Sequence, residues 1–296
     1  MAKTYKHIPV LLNESIEFLN VKKGGKYVDC NLGGGGHTAE ILKRGGTVLG
    51  LDVDADAISY CKEKFANEIK DKKLFIVKEN FLHVDEAVKS IGWKSEDIDG
   101  ILYDLGLSMY QFKDAKKGFS FNDDTKLDMR MNEELQVTAE DLIRVLSEKQ
   151  LANLFYEYGG EVQSRAFAKA IKNFVREKDT KGEEIKAKDV AQLIKNTTKY
   201  KSSRVHPATR VFQALRIAVN SELDNLQGSL ERAILLLKPG ARLVIIAFHS
   251  LEDAISKNIE QSPALKLIKT VKPSYEEINR NPSSRSAIMR VYEKTE

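Results

Sequence analysis

The chain has 296 residues, 42% of them hydrophobic and 30% charged, with a formal net charge of +4. That length suits one large domain or two modest ones. No apolar run approaches the roughly 18 residues of a membrane span, and the start, MAKTYKHIPVLLNES, lacks the apolar core of a signal peptide. The two cysteines, Cys30 and Cys61, form no CxxC pair, which argues against a disulfide framework or a structural zinc site. A cytoplasmic protein with no membrane partner and no metal is expected.

In chain order, Asn13 can cap a short helix with Ile16 and Leu19 on one face. KYVDC (26–30) reads as a buried strand, and HTAEILKR (37–44) as a helix stopped by Gly45-Gly46. TVLGLD (47–52) is a second strand, and 54–68 a second helix. KLFIVK (73–78), a helix over 83–91 and IDGILYDL (98–105) continue the alternation. Strands alternating with helices imply a parallel doubly wound α/β sheet. From about 112 to 205 the pattern turns helical. A long helix from Pro207 then leads to KPGARLVIIAF (238–248), a fifth strand, and LKLIKTV (265–271) and RSAIMRVYE (285–293) predict two more. The expected architecture is a Rossmann-like domain with a helical domain inserted after the fourth strand.

Four consecutive glycines, Gly33 to Gly36, separate the first strand from its helix. Glycines let the backbone turn sharply and approach a ligand. Asp52 ends the second strand, placed to accept hydrogen bonds from both ribose hydroxyls of a nucleoside cofactor. Asp29 ends the first strand, where a carboxylate would repel a pyrophosphate and favour the ammonium and sulfonium of S-adenosylmethionine. Asp104, ending the fourth strand, adds a third acid on the edge where such sheets bind ligands. Phe81, just after strand three, is placed to flank an adenine ring or to pack the core.

Charge is unevenly spread. Between Glu161 and Arg216, 14 Lys/Arg stand against 6 Asp/Glu, an excess of +8 that leaves −4 for the rest. Such a segment suggests a polyanion partner. At about 100° per residue, HPATRVFQALRIAVNSEL (206–223) places Arg216, Thr209, Asn220, Gln213, His206 and Arg210 on one side and an apolar set on the other, with Ile217 the exception. That polar stripe suits phosphates and base edges, or else a solvated face whose arginines pair with acids. His249-Ser250 follow strand five and either touch the substrate base or cap the next helix.

HIPVLLNES (7–15), GGGGH (33–37), DLGLS (104–108), KKGFSF (116–121), LDMRM (127–131), HPATRVFQALRIAVNSEL (206–223), FHSLED (248–253) and NPSSRS (281–286) occur in this order. Together they closely resemble the RsmH (MraW) family of bacterial S-adenosylmethionine-dependent 16S ribosomal RNA cytosine-N4 methyltransferases, over essentially the whole chain. The resemblance implies a class I methyltransferase fold made of 1–111 and 206–296, with 112–205 as an inserted helical RNA-recognition domain. It implies transfer of a methyl group to N4 of a cytidine in the decoding region of the small ribosomal subunit. By motif, Gly35, Gly36, His37, Asp52, Phe81, Asp104 and Gln111 match the family's cofactor contacts.

The remaining expectations concern substrate and chemistry. Arg210, Gln213, Arg216, Asn220, His249 and Ser250 are the candidate RNA contacts, and Asp104 the candidate catalytic acceptor for an amino N–H. The chain departs from the family's usual residues at Asn31, Met109-Tyr110, Thr125-Lys126 and Ala254. A small-molecule methyltransferase leaves the basic segment unexplained, and a non-catalytic RNA-binding relative is a second rival.

Overall fold

The computed structural model describes residues 8–106, 117–122, 124–199 and 206–295. Gln111 and the departures at Met109-Tyr110 lie outside them. The chain divides into two compact units, Met1–Ser108 with Leu223–Glu296, and Met109–Glu222.

The first unit is built on one seven-stranded sheet, comprising β1 (Lys26–Asp29), β2 (Thr47–Asp52), β3 (Leu74–Lys78), β4 (Ile98–Asp104), β5 (Leu237–Ala247), β6 (Leu265–Val271) and β7 (Ile288–Lys294). The order is β3-β2-β1-β4-β5-β7-β6. The pairs among β1 to β5 are parallel. β7 runs antiparallel to both β5 and β6. The sheet is therefore mixed: β1 to β6 all run in one direction, as expected of a parallel sheet, and β7 alone runs against them. Alternation of strands and helices predicts parallel crossovers, but the β6–β7 connection carries only α13 (Tyr275–Arg280) and a short 3₁₀ turn, and β7 pairs back antiparallel on both neighbours.

Strand periodicity sorts the core onto two faces. Val28, Leu49, Leu51, Ile101, Tyr103, Leu243 and Ile245 face one side with Val84 and Val88 of α5 (Val84–Ser90) and Leu226, Leu230 and Ala233 of α11 (Glu222–Leu236). Tyr27, Val48, Leu102, Val244, Ile246 and Val291 face the other with Ile16 of α1 (Leu12–Phe18), Ile41 of α2 (Gly36–Lys43) and Ile58 of α3 (Ala55–Lys64). Both faces are covered, which is why these strands read as unbroken apolar runs. The helix expected over 54–68 breaks at Phe65 into α3 and α4 (Ala66–Lys70).

The second unit is helical: α6 (Ala139–Val145), α7 (Glu148–Gly159), α8 (Ser164–Lys181), α9 (Ala187–Thr197) and α10 (Thr209–Asn220). α6 and α7 both open with a capping box, Thr138 with Asp141 and Ser147 with Gln150. The sequence predicts one long helix from Pro207 and assigns it to the sheet domain. Instead the helix stops at Ser221, whose φ is 50°. α10 groups with the inserted helices, and its apolar face, Val211, Ala214 and Leu215, packs in the helical unit, chiefly on α7. An apolar stripe shows that a helix is half-buried but does not identify what buries it. No helix among the described residues is long and apolar enough to cross a membrane.

Candidate active site

The strand order reverses between β1 and β4. In sheets of this kind the crevice at the carboxyl ends of the two strands flanking the reversal receives the ligand. The sequence places Asp29 at one end, Asp104 at the other, and the four glycines between β1 and α2.

The glycine loop is anchored on every side. The Gly33 N–H donates to Asp52 Oδ2 at 2.8 Å, and the Gly35 N–H to the Leu32 carbonyl at 2.7 Å. From α3, the Cys61 thiol reaches the Gly33 carbonyl at 3.2 Å and Lys64 Nζ the Gly34 carbonyl at 2.8 Å. Gly35 has φ +68°, and a Cβ there would lie 2.5 Å from the Phe65 ring; at Gly36 it would lie 2.2 Å from Pro9. Gly35 is thus demanded by backbone conformation and packing, and Gly36 by packing against Pro9. Burial drives the Cys61 thiol up to about 12, so it serves as a fixed donor and not as a nucleophile.

Asp52 accepts a second backbone bond, from the Asp54 N–H to Oδ1 at 2.9 Å. Each oxygen thus keeps acceptor capacity for a further donor. Burial raises its carboxyl to about 6. Asp54 then caps α3 by accepting from the Asp56 N–H. Asp29 is only 1% exposed. It accepts the Thr38 hydroxyl at 2.7 Å and the Asn31 N–H at 3.3 Å, and burial raises it to about 6. It holds the first turn of α2 against β1 and sets the local field; its hydrogen bonds are made within the protein.

Asp104 is the acid with chemistry to spare. Its side chain is 13% exposed, Oδ2 lies 3.6 Å from Nδ1 of the buried His37, and the buried Oδ1 has no hydrogen-bond partner among the described residues. Burial first, then the charges of Asp29 and Glu252, hold its carboxyl well above the usual range. An acceptor with an unused oxygen among mutually repelling carboxylates fits a cationic ligand or an N–H donor and disfavours a phosphate.

Phe81 follows β3, half-buried, its ring edge-on to Tyr103 at 5.8 Å. Ser229 of α11 ties it down by donating to the Phe81 carbonyl at 2.7 Å while sharing a 2.6 Å bond with the Tyr103 hydroxyl. His249 is the N-cap of α12 (Ser250–Asn258): its Nδ1 accepts the Glu252 N–H at 3.4 Å, and Glu252 Oε2 accepts the Phe248 N–H at 2.7 Å. Of its two expected roles, capping is the one seen. Ser250 opens the helix, exposed.

The six sheet-edge residues Gly35, Gly36, His37, Asp52, Phe81 and Asp104 therefore follow adjacent parallel strands, at one edge. Of the residues that support them, Glu252 falls within FHSLED, whereas Thr38, Cys61, Lys64 and Ser229 carry no motif in the sequence.

The polar face of α10 lies in the second unit and is largely engaged there. Arg216 makes a bidentate pair with Glu222, both bonds 2.8 Å. Gln213 donates to the Tyr158 carbonyl and the exposed Arg210 to the Gly160 carbonyl, each at 3.3 Å. Asn220, 9% exposed, donates to the Met129 carbonyl and accepts the Met131 N–H, both at 2.8 Å. It clamps LDMRM where Met129 sits at φ 63°. His206 stacks on Phe121 at 4.6 Å, and burial lowers its pKa. At two departures from the family pattern a buried oxygen, Asn31 Oδ1 and Thr125 Oγ1, has no hydrogen-bond partner among the described residues.

Sheet order, the antiparallel β7 and the acids around the β1–β4 reversal define a class I methyltransferase fold. The MraW methylase family model matches residues 4–295, so the chain belongs to that family. Ribosomal RNA small subunit methyltransferase H of Carboxydothermus hydrogenoformans is 41% identical over 312 residues, covering 98% of each chain. The protein of that name from Coprothermobacter proteolyticus is 41% identical over 302 residues, covering 99% of this chain and 98% of its own. An rRNA methylase structure from Streptococcus thermophilus superposes with a TM-score of 0.48 at 12% identity, over 100% of this chain and 99% of that one.

Proposed function

We propose that this protein transfers the methyl group of S-adenosylmethionine to N4 of a cytidine in the decoding region of small-subunit ribosomal RNA. Membership of the methylase family along nearly the whole chain carries the reading. The unpartnered Oδ1 of Asp104 supports its chemistry.

When bound, S-adenosylmethionine supplies a methyl group already activated on a sulfonium. The protein's task is to hold, align and remove a proton. The anchored loop at Gly33–Gly36 and the two oxygens of Asp52 bind the nucleoside end, and Phe81, fixed by Ser229, flanks its base. Asp29 and Glu252 supply a negative field that favours a cation, and Asp104 adds to it once ionised. A cytosine amino group is a weak nucleophile because its lone pair is delocalised into the ring. Asp104 Oδ1 would accept one N–H of that group, localise the lone pair, and take the proton released as the N–C bond forms and the methyl–sulfur bond breaks, its electron pair staying on sulfur so that a neutral thioether leaves. The raised basicity of Asp104 suits that step. The target base has to leave its stack to reach this edge.

The test is transfer of labelled methyl from S-adenosylmethionine to small subunits from cells lacking this modification. Label in the small-subunit RNA, with none in large-subunit RNA, supports the reading. Label in neither, from protein that binds the cofactor, overturns it.

A further inference from the structure

The basic segment divides into paired and unpaired cations when its partners are traced. Lys178 pairs with Glu183, Lys181 with Glu177, and Lys186 and Lys188 with Asp124. Lys172 caps α6, donating to the carbonyls of Ile143 and Arg144 at 3.0 and 2.8 Å. Arg165, Lys169 and Arg176 are exposed, and among the described residues none has an acidic side chain within 4 Å. These three and Lys172 follow the i, i+4, i+7, i+11 spacing of one helical face. At about 100° per residue they fall within about 60° of arc. From Arg165 to Arg176 the row runs about 16 Å at 1.5 Å per residue.

Two further observations say what this row meets. The arc contains no apolar side chain, and the residues within about 40° of its edges on the same helix are Asn173, Thr180, Asp179, which is taken up by Arg144, and the buried Ala168. A protein partner would need an apolar centre there; a phosphate backbone needs only regularly spaced donors. The row also continues to Lys199. Gln163, the residue before α8, donates to the Thr198 hydroxyl and accepts the Lys199 N–H, both at 3.0 Å. Lys199 is thereby pinned to the end of α8 that carries Arg165.

We propose that the Arg165–Lys169–Arg176 face of α8, continued by Lys199, is a phosphate-tracking surface that binds the RNA backbone of the substrate. It rests on the functional reading above for the identity of the polyanion. α10, whose polar groups are largely engaged within the protein, is then mainly a structural helix, and affinity for RNA comes from α8.

The experiment compares three forms of the full chain for binding to undermethylated small subunits across a range of salt. Arg165→Gln, Lys169→Gln and Arg176→Gln are made together. A control, Lys178→Gln, Lys181→Gln and Lys188→Gln, removes the same charge from cations already paired. The first variant is expected to reduce the slope of log affinity against log salt by about 2–3, at roughly 0.7–0.9 for each phosphate no longer neutralised. The control should reduce it by less than about 1. Both should bind S-adenosylmethionine and melt like the unaltered protein. An unchanged slope in the first variant, or an equal fall in the control, overturns the proposal. If the unaltered protein transfers no methyl to small subunits yet binds RNA through this face, the functional reading fails and the surface stands. If it binds no RNA, both fail.

Discussion

Asp52 accepts the backbone N–H of Gly33 at 2.8 Å, so the acid ending β2 and the glycine loop following β1 form one assembly. Removing the carboxylate therefore takes one anchor from the loop and, on the proposed reading, two acceptors from the ligand. Asp52→Ala is expected to weaken S-adenosylmethionine by about 1.5–3 kcal/mol, measured by calorimetry. Unchanged affinity would remove Asp52 from the site, and tighter binding of NAD than of S-adenosylmethionine would reverse the cofactor assignment.

Asp104 separates catalysis from cofactor holding. Asp104→Asn keeps the size and one acceptor oxygen but cannot take the proton. Single-turnover transfer at saturating cofactor should fall roughly 10²–10³-fold, the scale of one preorganised electrostatic interaction, while cofactor affinity changes little. The carboxyl is held above its usual range, so transfer by the native protein should rise with pH as Asp104 ionises. That limb should vanish in the variant. A normal rate at saturation would move the acceptor to another group.

Asp29 links stability to pH. Its folded carboxyl lies at about 6, against an ordinary value of 3.8. The folded state binds the proton more tightly, so Asp29 lowers stability as pH rises from about 4 to about 6, and the loss persists above that. A difference of that size corresponds to about 3 kcal/mol. Asp29→Asn, which keeps a partner for Thr38, should gain about 2–3 kcal/mol relative to the native chain between pH 4 and 7. Urea denaturation at both pH values reads this difference. A gap that does not widen with pH would show that burial does not raise this acid.

Asn220 is the clamp of the helical unit. Asn220→Ala leaves the Met129 carbonyl and the Met131 N–H without their partner and frees a left-handed Met129. A loss of about 1–3 kcal/mol in stability is expected, with methyl transfer impaired and cofactor affinity unchanged. If the variant kept full stability and lost only RNA affinity, Asn220 would be an RNA contact as its position on the polar stripe first suggested.

The strands were legible because buried parallel strands are apolar runs bounded by turns; β2 and β6 fall on the residues expected. The direction of β7 was not, because strand composition carries no sign of antiparallel pairing. The acids at strand ends were legible as a set, and the structure separates them by environment: Asp29 enclosed by Thr38 and Asn31, Asp52 shared with the loop, Asp104 with an oxygen to spare. The face of α10 was legible as polar, but the pairing of Arg216 with Glu222 and the bonds of Asn220 to LDMRM depend on chain segments brought together only by folding. Cys61 and Lys64 sit three apart on an ordinary helix, and nothing local marks them as props of the glycine loop.

The most direct measurement is mass spectrometry of nucleosides and fragments from small-subunit RNA after reaction with the purified protein and S-adenosylmethionine. The account predicts one new methyl group per subunit, as N4-methylcytidine, in a fragment from the decoding region, and its loss with Asp104→Asn. A methyl group on another atom or base, or in RNA outside that region, would contradict it.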